Sequence, residues 1–130
     1  MTLDHAYLLA WAKAFVATQL IEVPIYLRFC VPRRPWVALG ASTLTHPLLW
    51  ALLWPSWFLV RASVLARAPW LGDRQTEIVA VTAVGEGLVW LTEGLWFRLW
   101  GGHQPWRWSL VANATSAGVG VLLYVFFRWP

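Results

Sequence analysis

Four long apolar runs, separated by short breaks, constrain this chain more than any other feature of its sequence. The runs cover residues 8–31, 36–60, 77–99 and 109–127. A helix needs about 20 mostly apolar residues to cross the hydrocarbon core of a bilayer. The breaks are rich in proline, glycine and arginine, and proline and glycine end helices and favour turns. The pattern predicts an all-α fold, a polytopic transmembrane four-helix bundle with short loops, in which residues 1–130 form a single integral membrane domain.

The composition excludes most other classes of protein. Only 12% of the residues are charged and 59% are hydrophobic, whereas an ordinary soluble domain has about 25% charged residues. A single cysteine, Cys30, excludes a scaffold of intrachain disulfides. The net charge of +4 comes from basic residues scattered near the ends of the apolar runs. That placement indicates contact with lipid head groups, so the bilayer is the expected partner and nucleic acid is not.

The aromatic and basic residues bear on how the chain lies in the membrane. Most of the twelve tryptophans are near the ends of the apolar runs, as expected of a tryptophan-rich protein that anchors itself at both interfaces. The first helix has no basic residue before Lys13, and Arg28, Arg33 and Arg34 follow near its end. Because the first helix usually dominates orientation, this favours termini outside and a cytoplasmic 31–34 loop.

Polar residues inside the apolar runs are the best candidates for a functional site. Intramembrane ionisable residues are costly and usually face the protein interior or a water-filled cavity. At about 100° per residue, Thr82, Glu86 and Glu93 lie within roughly 40° of one another on one helix face. The expected polar cluster consists of Glu22, His46, Glu86, Glu93 and Asn113, supported by Thr43, Thr45, Thr82, Ser109 and Ser116. Four of these five residues are expected at a similar depth in the membrane, in the half nearer the 31–34 loop; they are Glu22, His46, Glu93 and Asn113.

Two prolines lie beside this cluster. Pro24 leaves the carbonyl of Leu20 without its helical partner, and Pro47 does the same for the carbonyl of Thr43. A freed carbonyl in a membrane helix must find another donor or ligand. The sequence leaves two interpretations open, a site for an ion or water and a plain proline kink.

Three functional hypotheses follow. In the first, the buried cluster is part of a proton or cation translocation or transport component, with Glu22 and Glu93 as carriers and His46 as a further titrating group. That component would act alone, as a homo-oligomer or as a transport subunit. In the second hypothesis, the chain is an accessory or structural subunit of a larger membrane complex. In the third, Glu22, His46 and Glu93 bind Zn²⁺ or another divalent metal in an intramembrane enzyme. No catalytic motif is present, so neither a catalytic residue nor a cofactor is assigned and an enzyme is not the expected class.

A set of landmarks distributed over all four runs resembles a known group of proteins. The landmarks are Glu22-Val23-Pro24, Thr45-His46-Pro47 followed by Trp50, the pair Glu86 and Glu93, and the series Ser109, Asn113, Ser116 and Gly120. They resemble a family of small, uncharacterised bacterial four-helix integral membrane proteins. The resemblance implies a multi-pass protein of the bacterial inner membrane with a shared polar cluster, and it implies no activity.

Overall fold

Helices form nearly all of the structure. A computed structural model describes residues 5–127, so the first four and last three residues of the predicted domain lie outside it. The described residues form five α-helices and no strand, which confirms the all-α prediction. In chain order these are α1 (His5–Ile25), α2 (Pro35–Leu48), α3 (Trp54–Arg67), α4 (Arg74–Leu99) and α5 (Pro105–Phe127). Wider π-helical segments follow α1 (Tyr26–Cys30) and separate α2 from α3 (Leu49–Leu53), and a 3-10 turn (Pro69–Gly72) precedes α4.

Three stretches are long and apolar enough to cross a membrane, namely Leu8–Cys30, Gln75–Leu99 and Pro105–Phe127. They correspond to three of the four predicted runs and support the assignment to the membrane class. The run predicted at 36–60 is instead divided into α2 and α3, of 14 residues each. At 1.5 Å per residue, each is about 21 Å long, shorter than the roughly 30 Å hydrocarbon core.

The start of two helices differs from prediction for identifiable reasons. The fourth run begins at Pro105 and not at residue 109, because proline is favoured in the first turn, where its missing N–H costs nothing. The third begins at Arg74 and not at residue 77, because the Asp73 side chain accepts a hydrogen bond from the main-chain N–H of Thr76. This is the geometry of an N-terminal cap.

Each π-helical segment begins two residues after a proline, Pro24 in one case and Pro47 in the other. The proline ring removes a helical hydrogen bond and collides with the carbonyl four residues back. A wider turn is one of the few ways a helix accommodates such a mismatch. This is the physical reason that the predicted second helix is divided.

Neighbouring helices run antiparallel. Along α1 and α2, Glu22 contacts Ser42 and Thr18 contacts His46. Helices α2 and α4 are also antiparallel, as shown by the contacts Thr45–Glu93 and Val37–Trp96. So are α5 and the first helical stretch, which consists of α1 and its π-helical continuation, as shown by Tyr26–Asn113 and Glu22–Ser116. One end of the molecule therefore carries residues 31–34 and 100–104, and we call it the 31–34 end. The opposite end, with residues 68–73 and the start of α1, is the 68–73 end.

The main cluster of buried apolar residues, called the apolar core below, lies in the half nearer the 31–34 end, while Val81 and Val89 of α4 are buried outside it. It consists of Tyr26, Cys30, Val31, Val37, Ala38, Ala41, Phe97 and Ala112. The Tyr26 and Phe97 rings are 4.4 Å apart between centroids, and both side chains are fully buried. The two connections at this end are joined directly, since the His103 N–H donates to the Cys30 carbonyl at 2.8 Å and Arg34 donates to the Trp100 carbonyl. The two connections at this end are therefore held to each other by main-chain and side-chain hydrogen bonds.

The outer surface of the helices is apolar. Leu20, Leu59 and Val79 are 72%, 85% and 67% exposed, in three different helices. A surface of this kind suits lipid, while it would be a large unpartnered apolar area in water. By contrast, several polar side chains of these helices are buried, namely Glu22, Ser42, Thr45, Glu93, Ser109 and Asn113.

Candidate functional site

Two glutamates are almost completely buried where α1, α2, α4 and α5 meet. Glu22 is 1% exposed and Glu93 is 0% exposed. Buried polar groups are normally hydrogen-bonded, and buried charges are normally paired. Among the side chains that the structure describes, the only ion pair is Arg61–Glu77, which involves neither carboxyl. Both are held instead by neutral donors.

Glu93 accepts hydrogen bonds from three other parts of the chain. Its Oε2 atom accepts from the Tyr26 hydroxyl at 2.5 Å and from Asn113 Nδ2 at 2.8 Å. Its Oε1 atom accepts from the Thr45 hydroxyl at 3.0 Å. Ser109 is also close, with its hydroxyl 3.5 Å from Glu93 Oε2 and 3.2 Å from the Trp90 carbonyl. Both carboxyl oxygens of Glu93 therefore have a donor.

Glu22 is held by two serines. The Ser42 hydroxyl donates to Glu22 Oε2 at 2.5 Å, and the Ser116 hydroxyl donates to Glu22 Oε1 at 2.6 Å. Ser42 belongs to α2 and Ser116 to α5. The carboxyl of Glu22 thus connects α1 to two other helices, and that of Glu93 connects α4 to three other helical stretches.

The surroundings of the two carboxyls form one polar network. Residues three or four apart share a helix face, and the partners of Glu22 and Glu93 have this spacing. They occur as Glu22 with Tyr26 on the first helical stretch, Ser42 with Thr45 on α2, and Asn113 with Ser116 on α5. In each pair, one residue is Glu22 or a hydrogen-bond partner of its carboxyl, and the other is a hydrogen-bond partner of the Glu93 carboxyl. The groups around the two carboxyls are therefore neighbours on one face of each of three helical stretches.

Besides Ser109, two hydroxyls in this network have a choice of acceptor. Thr45 Oγ1 is 3.0 Å from Glu93 Oε1 and 3.1 Å from the Ala41 carbonyl oxygen. Ser116 Oγ is 2.6 Å from Glu22 Oε1 and 3.0 Å from the Asn113 carbonyl oxygen. A hydroxyl has one proton to donate but can also accept. Each can therefore donate to an ionised carboxylate, or rotate towards the carbonyl and accept the acid proton. The network can satisfy either protonation state of both glutamates while the heavy atoms stay in place.

A cavity of about 270 Å³ adjoins the two carboxyls. Its wall includes Glu22, His46, Glu86, Glu93 and Asn113, together with the supporting residues Thr45, Thr82 and Ser116. Glu86 is two helical turns before Glu93, about 10 Å along α4 towards the 68–73 end. All five residues of the predicted cluster therefore border one space, although they do not form one hydrogen-bonded group.

His46 borders the cavity but stands outside the network. Its Nε2 atom is 3.2 Å from the Thr18 hydroxyl, and its ring meets Phe15 edge-on at 5.6 Å between centroids. Its Nδ1 atom is buried and has no hydrogen-bond partner among the described residues. The reason is helical geometry: His46 follows Thr45, which faces Glu93, and is turned about 100° from it.

Thr43 is also turned away from the carboxyls. It is exposed, and its hydroxyl accepts from Gln19 at 3.2 Å. Tyr26, which the sequence analysis did not single out, donates directly to Glu93. The signal for Tyr26 was available, because it lies four residues after Glu22 and so shares its helix face.

The proposed metal ligands do not form a metal-binding group. Among residues 5–127 no three His, Cys, Asp or Glu side chains lie close enough together to hold an ion. His46 does not join Glu22 and Glu93 in the hydrogen-bonded network described above. The geometry therefore gives the metalloenzyme hypothesis no support.

In comparisons with known proteins, the chain matches no family model, no curated protein and no solved structure significantly.

Proposed function

We propose that this chain is a multi-pass integral membrane protein of four transmembrane segments, arranged as a bundle. Three segments are the long apolar stretches described above. For the fourth we propose α2, the Leu49–Leu53 segment and α3 together, since the π-helical segment that divides α2 from α3 keeps residues 35–67 helical throughout. A bacterial inner membrane with termini outside is the location we propose, on the resemblance and the distribution of basic residues.

Within that protein, the Glu22–Glu93 network takes up and releases protons as part of a translocation or transport function. The observation that carries this proposal is the pair of hydroxyls, Thr45 and Ser116, that each have two acceptors. A purely structural contact needs only one fixed hydrogen-bond pattern. Here the pattern can be exchanged by rotating two hydroxyls, which suits a site whose carboxyls gain and lose protons.

A small hydrated cation that passes through the cavity is the second candidate, although no three acidic side chains among the described residues are close enough together to bind one ion jointly. Three carboxyl groups border a space of about 270 Å³, and no Lys or Arg is among the described residues of its wall. Carboxylates and hydroxyl oxygens are suitable ligands for hard cations. Occupation by a cation would then replace the acid protons.

An accessory subunit would be expected to turn its polar faces towards a partner protein. The donors to Glu22 and Glu93 all come from this chain. Partner helices are thus unnecessary to satisfy the two carboxyls, and the transport hypothesis is favoured. Association with a second copy or a larger complex is not required by it.

The test is flux in proteoliposomes that contain the purified protein. A membrane potential is imposed, and an entrapped pH dye reports the initial rate of proton entry. We expect Glu22→Gln and Glu93→Gln each to lower that rate by about a hundredfold, the usual scale for losing a proton-transferring group. Glu77→Gln is the matched control, because Glu77 pairs with Arg61 and does not border the cavity.

Two other outcomes would change the conclusion. Wild-type flux in both folded network variants would refute proton handling. Sodium or potassium entry that depends on Glu22 and Glu93, without proton entry, would replace the proton by a cation.

A further inference from the structure

The two halves of the protein differ in packing on either side of the buried carboxyls. Towards the 31–34 end lies the apolar core, in which Tyr26, Phe97 and Ala112 are fully buried. Towards the 68–73 end lies the cavity. Beyond Glu22 and Glu93 in that direction its wall continues to Ala14, Leu53, Thr82 and Gly120. The carboxyls are therefore at the inner end of a space that extends in one direction.

The cavity also reaches the protein surface in that direction. Its inner wall is formed by Glu22 and Glu93, which are buried, whereas Thr82 and Gly120 are exposed. From Glu93 to Thr82 the distance along α4 is about 16 Å at 1.5 Å per residue. Glu86 is between them, on the same wall. The space has room for several water molecules, each of which occupies about 30 Å³ in the liquid.

We propose that protons reach Glu22 and Glu93 through this cavity, from the half nearer the 68–73 end, with Glu86 as the intermediate carboxyl. In uptake, a hydronium ion protonates the Glu86 carboxylate and becomes water. The proton then passes through cavity water to Glu93 or Glu22, and Glu86 is again ionised. This inference rests on the proposed function and adds to it a direction of access and a third carboxyl.

Thiol labelling tests the direction of access without relying on flux. Ala117→Cys and Ala112→Cys place a thiol five residues apart on α5, one on the cavity wall and one in the apolar core. We expect a charged, membrane-impermeant methanethiosulfonate to label Ala117→Cys from one side of a sealed vesicle only. Ala112→Cys and the native Cys30, which is 1% exposed, should remain unlabelled from both sides. Thr82→Cys serves as a second cavity position in case Ala117→Cys does not fold.

Labelling of Cys30 or Ala112→Cys from the opposite side, at a rate similar to that of Ala117→Cys, would overturn single-sided access. Labelling of the cavity positions only by an uncharged, lipid-soluble maleimide would overturn access from water. Either result can occur while flux still depends on Glu22 and Glu93, so the proposed function would survive it. Conversely, single-sided labelling together with proton flux that does not depend on Glu22 or Glu93 would refute the proposed function but not the single-sided access of the cavity.

The role of Glu86 requires a kinetic measurement. We expect Glu86→Gln to slow proton entry by about a hundredfold, and Glu86→Asp, which keeps the carboxyl, to restore most of the rate. A side chain with a merely structural role would show no preference for aspartate over glutamine at equal protein stability. Equal rates for the two variants would therefore overturn the assignment of Glu86.

Discussion

The hydroxyl of Thr45 offers the sharpest test of how the buried network is held together. Thr45→Val keeps the shape of the side chain and removes the only described donor to Glu93 Oε1. The other oxygen of Glu93 keeps Tyr26 and Asn113. The substitution therefore leaves one buried acceptor without a partner, in a side chain that is 0% exposed.

The expected cost follows from that single lost contact. An unsatisfied buried acceptor costs about 1–3 kcal/mol in soluble proteins. Hydrogen bonds between membrane helices contribute about 0.6 kcal/mol on average and up to about 1.7 kcal/mol. We therefore expect Thr45→Val to lower the free energy of unfolding by about 1–2 kcal/mol, at the upper end of the membrane range because Glu93 is fully buried.

Thr92→Val is the matched control. Thr92 is exposed, and its hydroxyl donates at 2.8 Å to the Leu88 carbonyl of its own helix. Its replacement should change stability by no more than about 0.5 kcal/mol, as for most surface positions. Reversible unfolding in mixed micelles of increasing SDS content, followed by tryptophan fluorescence, measures both variants. If the two substitutions cost the same within error, the hydrogen bond between Thr45 and Glu93 does not stabilise the fold, and the buried network does not hold the helices together.

Two further outcomes are expected from the same unfolding assay. A methyl group on Gly94 would overlap the ring of Trp106, so Gly94→Ala should destabilise the protein by about 1–3 kcal/mol; Gly118→Ala, which meets open space, should be neutral or stabilising by up to about 1 kcal/mol. At the start of α4, hydrogen bonds from the N–H and hydroxyl of Thr76 hold the pKa of Asp73 below its usual range. Because that pKa is lowered on folding, the stabilisation is present above the unfolded pKa and is lost as the pH falls through the folded one. The stability difference between wild type and Asp73→Ala should therefore shrink in that acidic range, and a difference independent of pH would contradict the cap.

The helical class and much of the location of the polar cluster could be predicted from the sequence, because apolar periodicity and the cost of buried charge act locally. The division of the second run could not. Pro47 predicts a missing main-chain hydrogen bond, but whether the helix then kinks or widens into a π-helical turn depends on what packs against it. The apolar side chains of Leu49 and Leu53 lie against Gly85 of α4. This is a tertiary contact, which the local sequence pattern does not predict.

Residue types alone were also insufficient to choose among adjacent polar positions. Thr45 and His46 are neighbours, and the sequence favoured the histidine as the more reactive group. The structure turns Thr45 towards Glu93 and His46 towards Thr18. Which of two consecutive residues faces the interior depends on how the helix is rotated about its own axis, because adjacent residues point about 100° apart. The functional roles of these residues remain predictions.

The position of Tyr26 couples two properties that many proteins keep apart. Its ring packs against Phe97 in the apolar core, while its hydroxyl donates to Glu93. A mutation that repacks the core would also shift the donor that orients the acid, so selection cannot adjust one without affecting the other. In a genetic screen, suppressors of a damaged Glu93 environment should therefore arise among apolar residues around Phe97 that never contact a carboxyl. Variation among natural relatives should likewise be restricted at those apolar positions beyond what packing alone demands.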